Sequence, residues 1–271
     1  MFRHEGEQRT HHHNQVVAGY LALIAGIVNS AGFILIGSFT SHVTGNVGRF
    51  ADDLALRSSA APFALILVVA FFVGCFIASM ALESSVKSRP RTYSVLLFIE
   101  AGLLATFALL SYLMDTRNPR FHDVQAILLC VAMGMQNSFV TRLSGAVVRT
   151  THLTGVVTDL GIESARWFRM WRAQLAARTR VRLVVGDAPP TVPQAPRTFL
   201  LLTIAVAFIL GSMIGAFTAS QWGQLALLLP TIALVAGGIK AALDARRPAA
   251  PGSGPGSGPG SGPGSGPGSG S

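Results

Sequence analysis

Apolar residues fill this chain in long unbroken runs, not in the short alternations of a half-buried sheet. Six runs approach or exceed the ~20 residues that cross a bilayer's hydrocarbon core. They are Val16–Gly37, Pro62–Leu82, Tyr93–Met114, Val124–Leu143, Phe199–Ala219 and Gly223–Leu243. Backbone N–H and C=O groups find no water in lipid, so each run is predicted to be a helix. Two further stretches, Thr44–Arg57 and Thr154–Arg166, have helical composition but are short and carry acids. Such segments persist at membrane depth only when protein shelters them or they line water. They are predicted to be re-entrant half-helices, the alternative being an eight-span arrangement in which both cross.

The pattern repeats. The polar heptad TSHVTGN at Thr40–Asn46 returns as TTHLTGV at Thr150–Val156. GIVNS (Gly26–Ser30) precedes the first copy, and GMQNS (Gly134–Ser138) precedes the second. VAFFVGCFIAS (Val69–Ser79) is echoed by VAFILGSMIGA (Val206–Ala216). The order span, heptad, half-helix, span, span therefore occurs twice, over about 16–114 and 124–243. If each half-helix re-enters, each half has an odd number of spans, and the second half inserts upside down. Inverted repeats of this kind recur in secondary transporters, which bind substrate between discontinuous helices near the midplane.

Composition agrees with the pattern. Half the residues are hydrophobic and 12% are charged, against about a quarter charged in soluble domains. A net charge of +9 would suggest a nucleic-acid partner in a soluble protein. Here the basic residues lie between the apolar runs, and with the N-terminus inside most of them fall on the inner side. Both termini are therefore expected to be cytoplasmic, and nucleic acid is not an expected partner. Residues 164–197 are expected to form a basic cytoplasmic loop. In it Trp167, Phe168 and Trp171 stand among Arg166, Arg169 and Arg172, a mixture suited to the lipid interface. Residues 1–15 form a polar N-terminal segment, and 16–245 a single membrane domain. Residues 248–271 form a Pro/Gly/Ser tail with no side chains to bury, expected to be disordered.

Little in the chain suggests catalysis. Cys75 and Cys130 both sit inside apolar runs and match neither a disulfide framework nor a zinc motif. There is no phosphate loop, nucleophile elbow or HExxH, so no enzyme activity, cofactor or metal is expected. His11–His13 alone make no specific metal site.

The candidate chemistry lies at the two heptads. Thr44, Gly45 and Asn46 open one half-helix, and Thr154 and Gly155 open the other. A helix start presents unpaired N–H groups and a positive dipole end, suited to an anion or a carbonyl. His42 and His152 hold the same heptad position, where an imidazole can titrate near neutrality. Asn29 and Asn137 lie beside small-residue stripes, either packing helices together or reaching the same cavity. Glu100 is the one acid well inside a span, within LLFIEAGLLA, and is the candidate for proton coupling. Asp53 and Glu163 match in register but read as solvated loop charge.

With these residues assembled, the chain resembles the YoaK family of bacterial inner-membrane proteins, a family of unknown function. The likeness rests on AGIVNSAGFILIGSFTSHVTGNVGRFADDLA (Ala25–Ala55) and on TTHLTGVVTDLG (Thr150–Gly161), and covers about residues 16–245. It implies a multi-pass, permease-like protein of the bacterial inner membrane and supplies no substrate. The combined expectation is an all-α membrane bundle of six spans plus two re-entrant half-helices, an inverted 3+3 repeat. It would act as a secondary transporter of a small polar or anionic solute, rocking one repeat against the other. A passive channel and a non-transporting scaffold are the alternatives. The expected partners are membrane lipids, the solute and, if the protein oligomerises, further copies of itself.

Overall fold

A computed structural model describes residues 11–85, 89–113, 119–143, 153–179 and 192–246. All regular structure among them is helical. The elements are α1 (His11–Ile36), α2 (Val43–Ala55), α3 (Ala61–Ser84), α4 (Arg89–Leu113), α5 (Pro119–Leu143), α6 (Leu153–Thr179), α7 (Ala195–Trp222) and α8 (Leu228–Arg246). Pro62 and Pro196 stand in the first turns of α3 and α7, where a fixed φ and a missing N–H cost nothing.

Five stretches are long and apolar enough to cross a membrane: Gln15–Ile36, Ala61–Ser84, Arg91–Leu113, Phe121–Arg142 and Ala195–Arg246. The last has 52 residues, which as one helix would measure roughly 78 Å, more than twice a bilayer core. It is broken at Gly223, whose φ of 57° a glycine adopts without strain. A 3-10 turn, Gly223–Leu227, follows before α8. The outer surface carries large apolar side chains, among them Phe72, Phe76, Met213, Phe217 and Ile232, each more than half exposed. Such a surface is stable against lipid and not against water. The protein is a multi-pass membrane protein.

The helices pair extensively as α1 with α7, α3 with α5, and α4 with α8, while α2 leans on α3 and α6 on α7. Glycines set the two longest contacts. A Cβ on Gly26 or Gly211 would run into the backbone of the facing helix, at Phe208 and Leu23 respectively. Gly74 and Gly134 meet the backbone at Val131 and Phe71 in the same way. Without a hydrophobic drive between helices in lipid, this close backbone approach is what holds them.

Register gives the directions. Gly19 faces Thr203 and Gly215 faces Ile27, so α1 and α7 run parallel. Cys75 Sγ donates to the Gly134 carbonyl at 3.1 Å, Ser79 and Ser138 hydroxyls lie 2.7 Å apart, and Arg142 pairs with Glu83, so α3 and α5 also run parallel. Leu21 contacts Gln136 while Gly32 contacts Leu129, so α1 and α5 are antiparallel. The end of α1 and the start of α3 therefore share one end of the bundle. The end of α5 and the start of α7 share the other.

Two elements depart from expectation. α1 begins at His11, inside the segment read as a polar terminus. α6 does not stop at Arg166 but runs to Thr179, through the first part of the stretch read as a basic loop. No Gly or Pro interrupts residues 162–179, and the Ala, Arg, Met, Gln and Leu there are good helix formers. The Pro/Gly/Ser tail lies outside the described residues.

Candidate functional site

The starts of α2 and α6 meet at a cavity of about 460 Å³. Gly37, with φ 69°, ends α1, and its N–H reaches back to the Phe33 carbonyl at 2.9 Å. The chain then folds back on itself. Phe39 stacks on Phe33 with ring centroids 4.2 Å apart and meets His42 edge-on at 6.3 Å. Asn29 Oδ1 accepts from the Ser41 hydroxyl at 2.8 Å and from its N–H at 3.4 Å. This bond ties the polar heptad to α1.

His42 precedes α2, and its imidazole folds over the first turn. A Cβ on Gly45 would strike His42 Nδ1, so only glycine leaves room. The Asn46 N–H bonds the His42 carbonyl at 3.1 Å. The N–H groups of Val43, Thr44 and Gly45 precede it and have no acceptor within the helix. Val43 and Thr44 line the cavity from α2, Leu153 and Thr154 from α6, Asn29 from α1 and Phe208 from α7. Phe39, Ser41 and His42 complete it. Among the described residues no acid contributes.

The two half-helices bury matching faces. Val43, Asn46, Phe50 and Asp53 turn inward on α2, and Leu153, Val156, Leu160 and Glu163 do so on α6. This corrects the reading of the two acids as solvated loop charge. Glu163 is 1% exposed, accepts from Arg166 Nη1 at 2.6 Å and from the Gln194 N–H at 3.3 Å. Arg197 pairs with Asp159 at 3.1 Å, and Trp167 Nε1 reaches the Thr198 hydroxyl at 3.4 Å. Three contacts thus fasten α6 to the start of α7. Asp53 lies 3.7 Å from Arg49 Nε, within α2 itself.

Of the residues singled out from sequence, Asn29, His42, Thr44 and Thr154 line the cavity. Gly45 stands behind His42. Asn46 is buried on the inner face of α2, and Gly155 has open space where a Cβ would sit. Asn137 is buried in α5 and does not line the cavity. Glu100 is buried in α4, away from the cavity lining. His152 lies outside the described residues. Phe39, Ser41, Val43, Leu153 and Phe208 were not singled out. Phe208 is legible only as the aromatic of the repeated VAF motif. No cluster of three His, Cys, Asp or Glu fit for a metal occurs among the described residues.

Comparison with known proteins adds the following. A family model described as "Protein of unknown function (DUF1275)" matches residues 17–239. The chain is similar to UPF0700 transmembrane protein YoaK of Bacillus subtilis (strain 168), with 29% identity over 145 residues. That match covers 52% of this chain and 62% of the relative, so it spans less than two thirds of YoaK. UPF0700 transmembrane protein RA0705 of Rhizobium meliloti (strain 1021) is 27% identical over 200 residues, covering 69% of this chain and 83% of that protein. No solved structure matches.

Proposed function

The chain belongs to this DUF1275 family, and from that membership and the geometry of its cavity we propose that it is a secondary transporter of a small anionic or polar solute. The cavity carries the reading. It is of small-molecule size, it gathers the N-terminal ends of two helices, and its polar lining among the described residues is free of acids. Helix starts present unpaired N–H donors and a positive dipole end. Thr44, Thr154, Asn29 and His42 add side-chain hydrogen-bonding groups.

In this reading α1, α3, α4, α5, α7 and α8 are the six spans. α2 and α6 are re-entrant, one from each face of the membrane. The directions of α1, α3, α5 and α7 support this, because the chain leaves and returns to one end of the bundle around α2 and to the other end around α6. The glycine contacts support an inverted repeat. Gly26 and Gly134 are equivalent in the two halves, as are Gly74 and Gly211, so the contact of Gly26 with α7 matches that of Gly134 with α3. Cytoplasmic termini are expected from the basic segments, and an inner-membrane location from the family resemblance. Glu100, the acid buried within a span, is the candidate coupling residue.

The packing also changes the expected motion. A rigid half cannot rock against the other, because α1–α7, α3–α5 and α4–α8 each join one half to the other. The moving bodies are instead α1 with α6 and α7, against α5 with α2 and α3. Each draws on both repeats and carries one half-helix to the cavity.

The test is uptake of a panel of small organic and inorganic anions into proteoliposomes of purified protein, under an imposed ion gradient. Concentrative uptake that falls in Thr44→Val and Thr154→Val is expected. Flux that only equilibrates the solute would make the protein a channel. No flux, together with cysteines at 44 and 154 that never react with water-soluble maleimides, would remove the cavity from any transport role.

A further inference from the structure

A groove runs along α7 on the face opposite Phe208. Phe199, Leu202, Val206 and Leu210 recur at helical spacing and so share that face. With Gly19 and Leu23 of α1 they line a groove of about 480 Å³. The four large side chains are exposed, whereas Gly19, Thr203 and Ala207 between them are half-buried. Small groups therefore form the floor, where a Cβ on Gly19 would lie 3.0 Å from Thr203 Cγ2. Both hydroxyls that line the groove are spent. Thr203 donates to the Phe199 carbonyl at 2.8 Å, and Tyr20 donates to the Ala233 carbonyl. From Phe199 to Leu210 the helix rises roughly 16 Å, about half of a ~30 Å hydrocarbon core. An acyl chain of one leaflet fits that length and that chemistry, and a polar solute does not.

Aromatic rings and positive charge gather where the groove begins. Trp167 Nε1 donates to the Thr198 hydroxyl at 3.4 Å, one residue before Phe199. Trp171 stands one turn further along the same face of α6, and Phe168 meets it with ring centroids 5.8 Å apart. All three rings are exposed. Residues 159–172 and 194–198 hold Arg166, Arg169, Arg172 and Arg197 against only two acids, Asp159 and Glu163. Arg166 and Arg197 pair with those acids, and Arg169 and Arg172 add net positive charge on the exposed side of α6. Tryptophan rings settle at headgroup level, and arginines there draw anionic lipid.

We propose that this groove is a binding site for an anionic phospholipid. One acyl chain lies along α7 between Phe199 and Leu210, and the phosphate sits at Arg169 and Arg172 beside Trp167 and Trp171. A zwitterionic lipid fills the same groove but gains nothing from the arginines, so headgroup charge selects the occupant. The site is separate from the cavity and needs no solute transport.

Tryptophan quenching tests it. The chain has three tryptophans, and Trp222 ends α7 at the far side of the bundle, so a Trp222→Phe protein reports from Trp167 and Trp171 alone. This protein is reconstituted in phosphatidylcholine vesicles with a minor fraction of brominated lipid, either phosphatidylglycerol or phosphatidylcholine. Brominated phosphatidylglycerol is expected to quench at about tenfold lower mole fraction. Arg169→Gln with Arg172→Gln should erase that difference, and the corresponding pair of lysine changes should keep most of it. Ala207→Leu, which fills the floor, should weaken quenching by phosphatidylglycerol severalfold. Arg91→Gln should leave the preference intact, because α4 starts at the same end of the bundle but takes no part in the groove. Equal quenching by the two lipids in the Trp222→Phe protein overturns the proposal, as does a preference that survives the glutamine pair. A preference that Arg91→Gln lowers as much would assign it to the charge of the whole bundle end and equally overturn the site. Undiminished quenching in Ala207→Leu would place the lipid outside the groove, with the same result.

Discussion

Replacing Gly134 with alanine tests how the bundle is held together. The new Cβ would overlap the Phe71 carbonyl oxygen, with the Phe71 carbonyl carbon at 2.9 Å and the Cys75 nitrogen at 3.1 Å. All three are backbone atoms, so no side chain can swing aside, and α3 and α5 must separate. Overpacking of this kind costs about 1–3 kcal/mol, and the rigid neighbours put this site at the upper end. Alanine also gains about 0.5–1 kcal/mol over glycine in a helix. Gly102→Ala on α4 corrects for that gain, because nothing lies within 4 Å of a Cβ there. The difference between the two variants isolates the steric term. At about 2–4 °C per kcal/mol for a chain of this size, Gly134→Ala should melt roughly 5–10 °C below Gly102→Ala. Gly26→Ala should show a like deficit through α1 and α7. The double variant should add to within about 0.5 kcal/mol, since the two contacts share no residues. The assay is thermal unfolding in detergent followed by a thiol-reactive dye. Equal melting temperatures for Gly134→Ala and Gly102→Ala would refute the claim that backbone approach holds these helices.

Three further outcomes are expected. Gly45→Ala should push the His42 imidazole off the helix start and raise the KM for uptake about tenfold, the weight of one lost hydrogen bond; Gly155→Ala, in open space, should not, and equal effects would remove His42 from solute binding. Glu163→Gln should weaken the fastening of α6 to α7 and cost about 1–2 kcal/mol in thermal unfolding, Arg166 being partly exposed; an unchanged melting temperature would mean the pair contributes nothing. Single cysteines replacing Leu56 and Leu175, in a background lacking Cys75 and Cys130, should label with impermeant maleimide from opposite faces, Leu56→Cys from outside. Labelling of both from one face would contradict inverted half-helices.

The membrane character of the chain was plain in its sequence, because lipid demands long apolar runs and nothing else supplies them. The positions of Thr44 and Thr154 were legible because a Thr-Gly pair opening a short polar helix is unusual in such a chain, and it occurs twice. Glu163 was misread. Its burial depends on Gln194, which lies across a proline-rich connection that sequence spacing does not fold. The length of α6 was missed because alternating aromatic and basic residues resemble an interfacial loop as much as a helix. Gln136 escaped notice because a glutamine inside a span carries no charge to flag it. Its bond to the Leu21 carbonyl appears only when α1 is brought beside it.

The pairing of helices also has a consequence for how the protein is made. Spans enter the membrane in chain order, yet α1 packs on α7, which is synthesised only after α5 and α6. The backbone-lined groove at Gly26 must therefore stand open to lipid through most of synthesis, as must the α4 face that α8 later covers. A chain truncated after α5 would carry inserted helices but only one of the three extensive pairs, α3 with α5. Insertion and assembly are separate events in this protein, and quality-control proteases have a long interval in which to act between them.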